Sequence, residues 1–175
     1  VFHNSAVEPA LAGGDIGNGT ICDCFGVTRG SFYHHFNSKE DLLGLWIKEK
    51  TDELNQGYTE DPSKSAKDNL RELLLGYASF LDWVGSDLMH STLSTITNGD
   101  RAIWYGILDP MVNNSTARLI EKCQAEGSVC AQHSVEEYLR LYTSAIIGAC
   151  IRWHLDSEID IVQEIQMIFD MVFSK

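Results

Sequence analysis

Residues 27–43 encode two helix starts joined by a tight connection, and this segment constrains the fold more than any other part of the chain. Thr28 can cap the first helix, because its hydroxyl oxygen can accept a hydrogen bond from a free backbone N–H. Ser38 followed by Asp41 resembles a capping box at the start of a second helix. Several side chains here can donate hydrogen bonds to phosphates or base edges: Arg29, Ser31, Tyr33, His34 and Lys39. The segment therefore predicts two adjoining helices whose junction can contact nucleic acid.

Residues 26–36 and 39–43 resemble the DNA-reading end of the tetracycline-repressor (TetR) family of transcription regulators. In that family a short recognition helix follows a Gly-Val turn, and a Lys-Glu-x-Leu sequence starts the next, longer helix. Both motifs are present here at the family's spacing. The resemblance implies an all-α fold with an N-terminal three-helix head, which contains a helix-turn-helix, and a C-terminal helical bundle. It also implies a homodimer formed through the last two helices.

The resemblance implies that the short helix contacts double-stranded DNA. A lysine at a helix N-terminus, such as Lys39, opposes the helix dipole unless a phosphate binds the free N–H groups there. We prefer His34 over His35 as a contact, since adjacent residues on a helix face different directions. The expected DNA-binding residues are Thr28, Arg29, Gly30, Ser31, Tyr33, His34 and Lys39.

The net charge of −12 argues against a general nucleic-acid binder. Residues 1–50 contain four basic and six acidic side chains, so residues 51–175 carry most of the negative charge. An acidic body repels DNA at long range and limits non-specific binding, but it leaves local contacts from a few cations intact. The charge distribution is therefore compatible with a DNA-reading head on an acidic body.

Other classes of protein find little support in the sequence. We expect no membrane span, since no apolar run approaches 18 residues, and no signal peptide, which favours a cytoplasmic location. The five cysteines form no zinc-binding pattern and fit reduced thiols. No nucleophile elbow, phosphate loop or metal-binding helix motif occurs. We therefore expect no enzymatic activity, no metal and no cofactor.

Helical periodicity accounts for most of the chain. We place a head domain at residues 1–50 and an effector-binding and dimerisation domain at residues 51–175, with a linker at 57–62. Ser134 with Glu137, and Ser157 with Asp160, predict starts for the last two helices. The predicted helices are 2–12, 20–25, 39–56, 64–86, 87–97, 101–126 with a break at Pro110, 134–154 and 157–173. The second is shorter than the family pattern, either because the motif is damaged or because residues are missing and the flanks are joined.

The last two predicted helices admit two interpretations. The first of them is apolar nearly all round, and the second carries one apolar stripe. They could close the core of one chain, or they could pair with the same helices of a second subunit in a four-helix interface. The resemblance favours the interface. The residues predicted to form it are Tyr138, Tyr142, Ile146, Ile161, Ile165 and Phe169.

The bundle is rich in aromatic side chains, which could form ordinary core or line a ligand cavity. The family resemblance implies a cavity for a small effector of unknown identity. The residues predicted to line it are Tyr77, Phe80, Trp83, Trp104, Met111, Tyr142 and Trp153. The sequence thus predicts a ligand-responsive DNA-binding regulator, with repression the expected mode. The alternative is a helical dimer whose degenerate head acts as a protein-interaction module.

Overall fold

The regular structure is entirely α-helical in the part of the chain that the computed structural model describes, residues 28, 30, 34, 39–97 and 114–174. The helices there are α1 (Lys39–Gly57), α2 (Ala66–Val84), α3 (Ser86–Thr97), α4 (Asn114–Ala125), α5 (Val135–Leu155) and α6 (Ile161–Val172). This confirms the all-α fold class. The predicted helices 2–12 and 20–25 and the first part of the predicted helix 101–126, with its break at Pro110, lie outside the described residues.

Side-chain caps explain where three of these helices begin. The Ser134 hydroxyl accepts a hydrogen bond from the Glu137 N–H at 3.2 Å, and Glu137 Oε2 accepts one from the Ser134 N–H at 2.8 Å. This is the capping box that the sequence predicts for α5. Asp160 caps α6 by accepting from two backbone N–H groups, and Ser65 caps α2 by accepting from the Asp68 N–H. The predicted start of the last helix is therefore correct at Asp160, whereas Ser157 lies before the cap.

Helix α2 occupies the centre of the bundle. It packs against α4 and α6, with further contacts to α1 and α3, while α5 lies across α6 and α3. Its buried side includes Leu70, Leu74 and Leu81, each at most 1% exposed. Arg71 on α2 stabilises the α6 contact, because its guanidinium lies over the Phe169 ring and pairs with Asp170 at 2.6 Å. The central position of α2 makes it the frame on which the other described helices are placed.

The connection between α1 and α2 is held by one buried amide, that of Asn69. The Asn69 side chain accepts a hydrogen bond from the Asp61 N–H at 2.8 Å and donates to the Asp61 carbonyl at 2.9 Å. The Tyr58 hydroxyl donates to the Asn69 carbonyl at 3.0 Å. Glu60, in the same connection, pairs with Arg118 and Lys122 of α4. The predicted linker at 57–62 is thus an ordered segment tied to both α2 and α4, and the predicted boundary at residue 50 falls inside α1.

The residues predicted to form the dimer interface lie in the core of a single chain. Tyr138, Tyr142, Ile146, Ile161, Ile165 and Phe169 are each at most 5% exposed. They pack with Phe173, whose ring lies 5.0 Å from that of Phe169. A side chain already covered by its own chain has little surface left for a second subunit, so this burial favours the interpretation in which both helices close the core of one chain, and the interface role of these six residues stays a prediction. The apolar stripe of α6 closes the monomer core.

Candidate functional site

The head motif is described at only a few positions. Thr28, Gly30 and His34 are exposed, as a surface that contacts DNA requires. Lys39 is the first residue of α1. Arg29, Ser31 and Tyr33 lie outside the described residues. The DNA-binding residues therefore stay a prediction from sequence, and the described positions are consistent with it.

Helix α1 joins this motif to the bundle. Trp46 and Ile47 are buried against the bundle, at 4% and 1% exposed. Thr51 is equally buried, and its hydroxyl is satisfied by the Ile47 carbonyl at 2.8 Å. The Trp46 ring lies 6.2 Å from Phe80 of α2. The bundle therefore holds α1 through its buried side, and the N-terminal residue of this helix, Lys39, belongs to the head motif.

The opposite end of α1 is fixed to α2 through polar contacts. The Tyr77 hydroxyl donates a hydrogen bond to Asn55 Oδ1, so the polar group of this buried tyrosine has its partner on α1, the helix that begins within the head motif and is called the head-bearing helix below. Tyr142 of α5 is also buried, and this burial raises the pKa of its phenol. Tyr77 and Tyr142 are therefore core residues with polar tips.

A groove of about 550 Å³ runs between α1 and α2. Its walls are mostly apolar, and charged side chains stand at its edges. The lining residues are Lys50, Glu53, Leu54, Gly57, Tyr58, Glu72, Leu73, Gly76, Phe80 and Trp83. Lys50 pairs with Glu53 at 3.0 Å, and Glu72 pairs with Lys64 at 2.8 Å. The volume is within the usual range for small-molecule sites.

The predicted ligand residues divide between different places. Phe80 and Trp83 line the groove, whereas Tyr77 and Tyr142 are buried in the core and Trp153 is half-buried on α5. Trp104 and Met111 lie outside the described residues. The helical spacing of the aromatic residues indicates that α2 is apolar on two adjacent faces. It does not indicate which of these two faces meets the core. The glycine at position 76 was a signal in the sequence, since a glycine inside a helix is unfavourable and leaves space for neighbouring groups.

The surfaces of α5 and α6 that point away from the core are partly apolar. The exposed large side chains there are Leu141, Ile151, Leu155, Met167 and Met171. Ser144 and Gly148 are exposed on the same side of α5 as Leu141, so a partner backbone could approach closely. Arg152 and Glu164 pair at 2.5 Å and join the two helices. This surface has the composition of a protein contact.

The described residues form neither a metal site nor a membrane-spanning helix. No cluster of three or more His, Cys, Asp or Glu side chains is arranged to hold a metal ion there. None of the described helices combines the length and the apolar character that crossing a membrane requires. The groove is therefore the candidate site for a ligand, and the head motif is the candidate site for DNA.

Comparison with known proteins agrees with the sequence motif. Residues 20–44 match the family model of bacterial regulatory proteins, tetR family. No curated protein sequence matches the chain.

Several solved structures have a similar fold. A regulatory protein TetR from Rhodobacter sphaeroides has a TM-score of 0.65 and 23% identity, over 96% of this chain and 92% of that one. The Thermus thermophilus TetR-family repressor FadR, solved with lauroyl-CoA, has a TM-score of 0.64 and 17% identity, over 95% and 91%. The Bacillus subtilis transcriptional regulator FadR, solved with stearoyl-CoA, has a TM-score of 0.62 and 18% identity, over 97% and 95%. The motif and the fold together confirm the resemblance to the TetR family that the sequence indicates: this chain carries the tetR-family N-terminal motif and folds as TetR-family regulators do.

Proposed function

We propose that this chain is a cytoplasmic, dimeric transcription regulator that binds DNA through its N-terminal head and is released by a small hydrophobic effector. The family motif and the fold support a DNA-binding regulator. The observation that carries the proposed response to an effector is the course of α1. This helix begins within the head motif at Lys39, and its buried Trp46 belongs to the aromatic group that reaches the groove.

The dimer is proposed to form through the outward surfaces of α5 and α6. Leu155 and Met171 are 77% and 71% exposed, and with Leu141, Ile151 and Met167 they give the outward surfaces of these two helices several large apolar side chains, as a protein contact requires. Gly148 and Ser144 would allow two copies of α5 to approach closely. A two-fold axis relating two copies of the chain would give the two heads the symmetry that reading a palindromic operator requires.

The effector response requires that the ligand prefer one spacing of the heads over the other. A ligand shifts the equilibrium only by its difference in affinity between the two states. A molecule between α1 and α2 contacts the head-bearing helix directly, so its affinity depends on the position of that helix. The acyl-CoA ligands of the Thermus and Bacillus relatives support a hydrophobic class of effector.

DNA binding by the head is tested by selecting the DNA fragments that the chain retains. The purified chain is incubated with fragments of its source genome, and the retained DNA is sequenced. We expect a pseudo-palindrome with half-sites about one helical turn, roughly 34 Å, apart or further. Retention of no DNA at low salt would contradict the proposal and favour the alternative, a protein-interaction module with a degenerate head.

A further inference from the structure

A helical glycine, Gly76, lies on the wall of the groove between α1 and α2. Gly76 is exposed near the middle of α2, and a Cβ at this position would meet no atom within 4 Å. Close packing therefore does not require glycine here, and a glycine inside a helix is unfavourable compared with other residues. The missing side chain leaves space beside Phe80 and Trp83, both of which line the groove. The absence of a side chain at Gly76 therefore leaves the groove accessible to a ligand, although the packing of the helices does not require it.

The walls of the groove suit an apolar, partly aromatic ligand. Leu54 and Leu73 contribute aliphatic surface from opposite helices, and Phe80 contributes an aromatic ring. Trp83 leaves 53% of its surface exposed, although its ring lies 5.5 Å from the buried Trp46. A half-exposed tryptophan beside buried aromatics offers a flat face on which a second ring can stack.

The charges around the groove disfavour a ligand with several negative charges. Lys50 is the only basic side chain among the lining residues, and its ammonium lies 3.0 Å from Glu53. Glu72 brings a second carboxylate to the lining, paired with Lys64 outside it. The phosphates of an acyl-CoA would meet two carboxylates and one cation that is already paired, which opposes binding.

We propose that this groove binds a neutral, aromatic-containing hydrophobic molecule, and that it does not accept an acyl-CoA. The site rests on the proposed function only for its regulatory consequence, because binding itself requires neither DNA nor a dimer. Its location differs from the buried Tyr77 and Tyr142 positions, so a ligand can enter without opening the core. Occupancy would press α1 away from α2 and so move the helix that carries the head motif.

The test uses the neutral fluorescent hydrophobe N-phenyl-1-naphthylamine and the full chain. Gly76→Leu places a side chain in the groove at a position where a Cβ meets no atom within 4 Å, and Ser79→Leu adds the same side chain at an exposed position of α2 that does not line the groove. We expect the wild type and Ser79→Leu to bind the dye and Gly76→Leu to bind it about tenfold more weakly or worse. Lauroyl-CoA should not displace the dye. Circular dichroism confirms that both variants are folded.

Two results would overturn the proposal. Equal dye affinity of Gly76→Leu and Ser79→Leu would show that the dye binds elsewhere, and displacement by lauroyl-CoA would show that the ligand class is wrong. DNA release is measured separately with the wild type and the same dye. If Gly76→Leu loses dye binding but the dye does not release DNA from the wild type, the binding site stands and the ligand response is contradicted. The two proposals therefore fail in distinguishable ways.

Discussion

The ring centroids of Trp46 in α1 and Trp83 in α2 lie 5.5 Å apart, with their planes inclined at 37°. Trp46 is buried, whereas about half of Trp83 is exposed at the groove. This aromatic contact, with that of Trp46 to Phe80, therefore connects the buried side of α1 with the wall of the candidate ligand site.

The different burial of Trp46 and Trp83 predicts that truncating them lowers the free energy of unfolding by different amounts. Trp46→Ala should lower the free energy of unfolding by about 3–5 kcal/mol, because it leaves a cavity in the core. Trp83→Ala should cost about 1 kcal/mol or less, since much of its surface is already in water. Urea unfolding of the two variants measures both values. Equal losses would contradict the assignment of Trp46 as the anchor and Trp83 as the groove wall.

The revised dimer surface gives a second prediction. Leu155→Asp should yield folded monomers, because it places a carboxylate on an outward apolar surface without disturbing the core. Ile165→Ala should instead destabilise the fold by about 2–5 kcal/mol, since Ile165 is buried within one chain. Light scattering and thermal unfolding separate the two effects. A Leu155→Asp protein that remains dimeric would rule out this surface as the interface.

The sequence could identify the apolar stripe of α6 but not its partner. Ile161, Ile165 and Phe169 recur at helical spacing, and this spacing is the same whether the stripe faces its own bundle or a second subunit. Only the placement of α2 and α5 decides between them, through contacts such as Arg71 over Phe169. The capping box at Ser134 was predictable because it depends on residues that are three apart in the chain.

The groove was less predictable for a related reason. Two adjacent faces of α2 are apolar, one with Leu70, Leu74 and Tyr77 and the other with Leu73, Phe80 and Trp83. Periodicity alone cannot tell that the first meets the core and that the second faces α1 across an opening. The connection held by Asn69 sets the position of α1, and it depends on contacts with a turn whose geometry the sequence pattern does not specify.

A pH-dependent prediction concerns Glu60, whose pKa is lowered by the Lys122 hydrogen bond and by the charges of Lys122 and Arg118. A lowered pKa in the folded state stabilises the protein above the ordinary glutamate pKa of 4.5, and this contribution is lost as the pH falls through the folded value. Glu60→Gln should therefore be less stable than the wild type near neutral pH, by about 1 kcal/mol or less.

Urea midpoints at neutral and acidic pH provide the measurement. The difference between Glu60→Gln and the wild type should vanish at acidic pH. Glu121→Gln, exposed on the same helix as Lys122, serves as the control and should show little difference at either pH. A Glu60→Gln deficit that persists unchanged in acid would show that the ion pairs are not its cause.

Arg29 is predicted to read a base edge. Arg29→Ala should weaken binding to the selected operator by about 1–3 kcal/mol and should relax the preference at one base pair. Lys67→Ala in α2 is a control that removes one positive charge from the bundle. Fluorescence anisotropy on the operator and on single-base variants gives both quantities. An unchanged base preference would assign Arg29 to the phosphate backbone or to solvent.

The most direct test of the account is the salt dependence of binding to DNA from the region upstream of the protein's own gene. The account predicts tight binding at low salt that weakens linearly on logarithmic axes, with a slope that Lys39→Ala reduces by about one unit. Binding that is absent at low salt, or a slope that Lys39→Ala leaves unchanged, would contradict the assignment of the head motif as the DNA-reading surface.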